Sequence, residues 1–313
     1  MRFTFILALV SAAAICPAKP PEPPENFEVT RDVPYADTSN PKQTLDLFLP
    51  TAKTGKPRPM IVFIHGGGWE SGDKADVFVG LLFPLIKDGA FAGASVNYRL
   101  TDEARWPAQI YDCKAAIRWL RTHAKEMNVD PGKIGVIGIS AGGHLVSLLG
   151  TSGGVPELEG DLGRKTSAGS KVQCVVNICG PSDFLTITDH PSIIKFNEAG
   201  SCTGKLFGKP MPDAKDLARA ASPVTYVTPD DPPVLTVHGT KDTLVPFEQA
   251  TEFREALTKA GVPNALITAK DGGHVFVHPE ILERERVFFE KWLLGRDQPK
   301  AMEDATVEIA AGK

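Results

Sequence analysis

Residues 134–143 read IGVIGISAGG: the apolar run Ile134–Ile139 merges into Gly138-Ile139-Ser140-Ala141-Gly142 and passes straight into a helical pattern over 141–150. A solid apolar run of this length reads as a buried strand. A serine between strand and helix fits a sharp, strained turn that lifts its hydroxyl clear of a sheet. Gly138, Gly142 and Gly143 fit the same demand, because side chains there would collide with the neighbouring strand and helix. The bare pentapeptide arises often by chance, so its placement carries the reading. Ser140 is the candidate nucleophile.

Outward from this turn, strand-like runs alternate with helical stretches. The runs are Met60–Ile64, Phe91–Tyr98, Val172–Ile178, Val234–Val237 and Ala265–Ala269, and helical patterns fall at 77–88, 108–127, 247–260 and 279–294. Strands interleaved with helices predict an α/β fold, a mostly parallel central sheet with helices on both faces. Two earlier alternating segments, Phe27–Val33 and Thr44–Leu49, predict an antiparallel edge. One domain over 27–294 results. Residues 181–233 carry many Pro and Gly and one clear helical patch, Ala214–Ala221; loops of that length are usually functional, so this is a candidate cap insertion. Residues 19–26 predict a solvated Pro-rich linker, and the polar segment 295–313 a frayed tail.

The 313 residues are 42% hydrophobic and 23% charged, which excludes disordered, collagenous and coiled-coil classes. With 34 Lys+Arg against 38 Asp+Glu and no long basic run, nucleic acid is not the expected partner. Arg2 precedes the mostly apolar stretch Phe3–Ile15 and then Cys16-Pro17-Ala18. That predicts a secretory signal peptide over 1–18, a secreted or periplasmic location and no membrane association after cleavage. A bilayer span needs about 20 apolar residues, which makes a retained anchor the weaker reading. Cys113, Cys174, Cys179 and Cys202 follow no zinc spacing. Cys174 and Cys179 sit at an odd offset on one predicted strand, so they should face opposite ways and not pair.

A second glycine-rich loop, His65-Gly66-Gly67-Gly68-Trp69, follows the run Met60–Ile64 directly. Its glycines free backbone N–H groups to point inward. Acyl transfer builds negative charge on a carbonyl oxygen, and each preorganised donor there contributes about 3–4 kcal/mol. The candidate donors are Gly67 and Gly68, joined by Ala141 at the helix start. Neither G-x-G-x-x-G nor a Walker lysine is present, so a phosphate cradle is the poorer reading.

The HGGGW loop followed by the GISAGG elbow resembles the α/β-hydrolase superfamily. Within it the chain is similar to hormone-sensitive-lipase-like carboxylesterases and to secreted bacterial xylan and feruloyl esterases. Asn97-Tyr98-Arg99-Leu100, Trp106-Pro107-Ala108 and Asp112 match the corresponding stretch of these esterases, and the likeness spans roughly residues 43–294. It departs in the elbow, where Ile139 and His144 replace an acidic residue and an asparagine; kynurenine-formamidase-like enzymes share the histidine. The resemblance implies serine hydrolysis of small acyl esters without a cofactor, with acetylated or feruloylated carbohydrate as the suggested substrate.

A serine nucleophile needs a base and a carboxylate, in the order serine, acid, histidine for this fold. Val234–Val237 runs into His238-Gly239-Thr240-Lys241-Asp242, which places Asp242 on a loop at the carboxyl end of the sheet, where such sheets bind ligands. Gly272-Gly273-His274 follows the next run and supplies the base. His278 is the runner-up base, and Glu248 and Asp183 compete as the acid. The other histidines read as structural: His65 shapes the glycine loop, His144 braces it, His238 is a satisfied strand end, and His123 and His190 lie at the surface or in the cap. Trp69, Asp183 and Phe184 are candidate substrate contacts. No H-E-x-x-H or comparable cluster occurs, so no metal site is expected. Two rival functions share the fold: an amide hydrolase (formamidase or peptidase-like) with the same catalytic residues, and a non-catalytic binding module, which would be expected to lack one of them.

Overall fold

The computed structural model describes residues 21–163 and 167–309, so the signal peptide over 1–18 lies outside the described residues. Among the described residues nine strands form one sheet: β1 (Phe27–Pro34), β2 (Thr44–Pro50), β3 (Arg58–Ile64), β4 (Ala92–Val96), β5 (Val129–Ile139), β6 (Cys174–Ile178), β7 (Val234–Gly239), β8 (Asn264–Lys270) and β9 (Ala305–Glu308). Their order is β1-β2-β4-β3-β5-β6-β7-β8-β9. β2 runs antiparallel to both β1 and β4, and every other pairing is parallel. The early alternating pair therefore forms the antiparallel edge.

The helices are α1 (Phe83–Ile86), α2 (Ala108–Thr122), α3 (Ala141–Thr151), α4 (Cys202–Phe207), α5 (Lys215–Ala221), α6 (Glu248–Ala260) and α7 (Pro279–Leu294). They cover both faces of the sheet, and strand alternation divides the core in two. Met60, Val62 and Ile64 of β3 pack with α2, α3 and α6 on one face. Ile61 and Phe63 pack with α1 and α7 on the other. The stretch expected to be one helix over 77–88 splits into a 3-10 turn at Val77–Leu81 and α1. Pro84 is the cause: with no N–H to give, it sits in the first turn of a new helix and not inside a long one.

Three expectations are corrected. The tail is not frayed through 309, because a 3-10 turn at Pro299–Met302 leads into β9, which pairs with β8 from Ile267/Ala305 to Lys270/Glu308. Ala301 and Val307 are buried beneath it, and Asp304 Oδ1 accepts the Leu266 N–H at 2.9 Å. One buried apolar side chain in a four-residue strand is too little pattern to detect in a sequence. The described part of the Pro-rich leader is docked: Asn26 O accepts the Thr51 N–H at 2.9 Å, and Asn26 Nδ2 donates to Lys87 O at 3.2 Å. Within 181–233 there are two helices, α4 in addition to α5; α4 spans six residues and is capped by Ser201 Oγ, which accepts the Gly204 N–H.

Candidate active site

Every loop that carries a candidate residue leaves the carboxyl end of a parallel strand. Ser140 follows β5 with φ 57° and ψ −121°, a backbone state that side chains rarely adopt. The state persists because its surroundings leave no alternative. A Cβ on Gly142 would lie 2.1 Å from Ile64 O, one on Gly138 would lie 2.4 Å from Gly142 O, and the Ser140 N–H donates to Ile178 O at 2.8 Å. β3, β5, β6 and α3 thus close on the turn and push the serine hydroxyl out.

The second glycine loop lies beside it. Gly67, Gly68 and Trp69 all have positive φ (103°, 60° and 58°), which turns the backbone back on itself after β3. The N–H groups of Gly67 and Gly68 donate to no protein acceptor among the described residues. Ala141 opens α3, where the first helical N–H groups lack intrahelical partners. These three donors are available to an oxygen in the cavity. His65 shapes the loop as expected: it is stacked on Tyr98, its Nδ1–H donates to Gly66 O at 2.7 Å, and burial pushes its pKa down to about 4. The Tyr98 hydroxyl also donates to His65 O at 3.1 Å, and Arg99 forms a bidentate pair with buried Asp112.

Across the cavity, Asp242 Oδ2 accepts the His274 Nδ1–H at 2.7 Å, while Oδ1 accepts the N–H groups of Leu244 and Val245 at 2.8 and 3.0 Å. Burial pushes the Asp242 carboxyl up, but hydrogen bonds from His238 and His274 and the charges of those rings outweigh it, holding it well below the usual carboxylate range. Ser140, Ala141, Gly67, Gly68 and His274 all line one cavity of about 480 Å³. No hydrogen bond joins the Ser140 hydroxyl to His274 in this structure, as is common before substrate tightens such contacts. The rest of the wall is largely apolar: Phe78, Ile139, Ile194, Phe196, Leu244, Val245 and Val275. Ile194, Phe196 and Cys202 come from the 181–233 segment, so that segment does border the site.

Other candidates fall elsewhere. His278 is the N-cap of α7, accepting the Glu280 N–H. Glu248 is half-buried at the start of α6, its carboxylate 3.9 Å from the His190 ring, and it does not line the cavity. Asp183 is turned into its own loop, where Oδ1 accepts the Leu185 N–H at 2.8 Å, and it does not line the cavity. Phe184 is also corrected: only 1% exposed, it packs against Trp69, His144 and Phe207 and cannot touch substrate. Trp69 borders the cavity but is 2% exposed, with its indole N–H donated to His144 Nδ1 at 3.2 Å. His144 passes its own Nε2–H to Ala221 O at 2.7 Å, which ties the glycine loop to α5. That bridge is the bracing expected of it.

Two residues around Asp242 escaped the sequence reading. His238 Nε2 lies 3.2 Å from Asp242 Oδ2 as well as 2.9 Å from Val245 O, and its buried Nδ1 has no partner among the described residues, so it is not the satisfied strand end expected. Cys179 follows β6 with φ 50°, and this turn brings it into the same core cluster as Cys174, overriding the opposite-face expectation; both are free thiols. Its sulfur, an Asp242 carboxylate oxygen and a His274 ring nitrogen all lie within 4.8 Å of one another. Burial first, and then the Asp242 charge, push that thiol well up; a protonated thiol is a poor metal ligand.

The chain is 33% identical over 229 residues to Esterase LipC of Mycobacterium tuberculosis, covering 72% of this chain and 54% of LipC. It thus spans about half the length of the curated relatives it matches. Among solved structures, it is similar to a truncated form of a carbohydrate esterase from gut microbiota (TM-score 0.79, 32% identity, 87% of this chain and 99% of that one). It is also similar to a bifunctional GH43-CE protein of Bacteroides eggerthii (TM-score 0.77, 33% identity, 85% of this chain and 35% of that one). The BD-FAE family profile matches residues 45–257, a stretch that holds the glycine loop, the serine turn and Asp242 and stops short only of the His274 loop. Since the match takes in well over half of the chain, the protein belongs to the BD-FAE family, on the α/β-hydrolase fold of its esterase relatives.

Proposed function

We propose that the protein is an exported serine carboxylesterase that cleaves small acyl esters. The observation that carries the reading is the 2.7 Å bond from His274 Nδ1 to Asp242, which leaves the opposite ring nitrogen, Nε2, to serve the Ser140 hydroxyl across a shared cavity. In the mechanism, Ser140 Oγ attacks the ester carbonyl as His274 Nε2 takes its proton. The tetrahedral oxyanion then meets the N–H groups of Gly67, Gly68 and Ala141. His274 returns the proton to the departing alcohol, and water, deprotonated by the same imidazole, releases the acid from the acyl-enzyme. Asp242 holds the ring and balances its charge. The apolar wall formed by Phe78, Ile194, Phe196, Leu244 and Val275 favours an acyl or aromatic group over a charged one.

The name of the carbohydrate esterase neighbour supports carbohydrate esters as the substrate class, and within that class the resemblance carried by the glycine loop and serine turn suggests acetyl or feruloyl esters of plant polysaccharide. The apolar leader of residues 3–15 supports export. Turnover of p-nitrophenyl acetate, acetyl-xylan, methyl ferulate and N-formylkynurenine by purified wild type and Ser140→Ala tests the proposal. Ester turnover by wild type alone is expected. Preference for the formyl amide would instead place the protein with the amide hydrolases, and an active Ser140→Ala variant would reject the nucleophile.

A further inference from the structure

We propose that His238 and Cys179 are positioning residues that hold the Asp242 carboxylate for His274, with the His238 Nε2–H sharing the oxygen that His274 uses. The inference rests on the Ser140–His274–Asp242 reading and extends it by one layer. His238 is fully buried at the end of β7, edge-on to Phe247 at 5.8 Å between ring centres. Its Nε2 is 2.9 Å from Val245 O. A carbonyl can only accept, so Nε2 carries the proton, and that N–H also lies 3.2 Å from Asp242 Oδ2. Nδ1 on the far side of the ring has no partner among the described residues. The ring's one partnered nitrogen therefore faces the Asp242 loop, and the other makes no bond among the described residues that would fix the ring elsewhere.

Cys179 closes the remaining side of the carboxylate. Its positive φ swings the thiol out of strand register toward Asp242 and His274. The charged and titratable groups around the base are then Asp242 on the loop after β7, His238 within the end of that strand, Cys179 after β6, Glu70 on the wall of the same cavity, and the exposed Lys241–Asp271 ion pair at 2.7 Å, which faces water.

The consequence is electrostatic. A second N–H on Oδ2 spreads the carboxylate's charge and weakens its hold on the imidazolium form of His274. Removing that N–H would concentrate the charge on the oxygen that His274 uses and strengthen its hold on the imidazolium form.

Two substitutions of matched size separate positioning from packing: His238→Gln keeps an N–H donor at the Nε2 position, and His238→Met does not. In His238→Met, kcat should fall about tenfold or more with KM within about twofold, and the acid limb of kcat/KM against pH should rise by about half a unit or more. His238→Gln should restore the limb to its wild-type position. A folded Met variant whose limb is unmoved or lowered, or a Gln variant that behaves like Met, overturns the proposal. Should Met fail to fold, 15N-histidine NMR on the wild type decides: His238 must be the Nε2–H tautomer, and an Nδ1–H tautomer overturns it. Labelling of wild-type Ser140 by a fluorophosphonate in the same preparations separates the outcomes. If Ser140 is not labelled, the triad reading falls; if it is labelled and the His238 variants leave the limb unmoved, only this inference falls.

Discussion

A single methyl group decides the serine turn. On Gly142 it would lie 2.1 Å from Ile64 O and 2.6 Å from His65 O, backbone atoms that cannot move without opening the sheet. Gly142→Ala is therefore expected to give insoluble protein, or a melting temperature lowered by more than about 10 °C, a loss at the severe end for one residue; circular dichroism on heating reads it. Substitutions that leave the backbone intact act on rate instead. His274→Ala should lower kcat for p-nitrophenyl acetate by about 10⁴-fold or more, and Asp242→Asn by less, because the base survives in a poorer orientation. A greater loss in Asp183→Asn than in Asp242→Asn would show that the acid had been misassigned. At this scale Ser140, Asp242, His274 and the glycines were legible because each stands beside a strand end or a glycine run. Phe184 and Asp183 were not: adjacency to a strand end says nothing about which way a side chain turns. His238 and Cys179 act through contacts four and sixty-three positions distant in sequence from Asp242, and no spacing rule exposes those.

Between elements, the bridge from Trp69 through His144 to Ala221 joins the loop after β3 to α3 and α5. Replacing His144 by Phe keeps the ring but strands a buried indole N–H and a buried carbonyl, a loss of about 1–3 kcal/mol for each group left unsatisfied. The expected result is lower stability in urea and a lower kcat, since the oxyanion donors share the loop with Trp69. The strands and the long helices were predictable because apolar runs and 3.6-residue periodicity persist over many residues. The short elements β9, α1 and α4 were not, since four to six residues hold too few periods to register. β9 also supplies a prediction: truncation after Leu294 removes the partner of β8 and the Arg254–Asp304 ion pair, bares the β8 edge and should lower the melting temperature by several degrees.

For the molecule as a whole, three fully buried groups, besides Asp242, bear on the response to pH. Burial raises Glu285 of α7 to about 8, and Oε2 has no partner among the described residues. The folded state then holds a proton that the unfolded chain releases above about 4.5, so stability falls as pH rises from about 5 to 8. Burial lowers His65 and His144 to about 4, so the unfolded chain takes up protons below about 6.5 that the folded state refuses, and stability falls again on the acid side. Maximum stability from these groups is expected at about pH 6.5, where the two histidines and Glu285 offset each other. Glu285→Gln should flatten the alkaline slope and gain on the order of a few kcal/mol at pH 8 in denaturant titration; an unchanged slope would show that Glu285 is not the cause. The doubly covered sheet was legible from the alternation of strand and helix, and it is what brings residues 67, 140, 242 and 274 to one rim. Reaction of the folded protein with a fluorophosphonate, followed by intact mass and peptide mapping, tests that convergence most directly. One adduct on Ser140, lost in Ser140→Ala and strongly slowed in His274→Ala, is the predicted result; no adduct on the native protein, or an adduct formed at the same rate without His274, would contradict it.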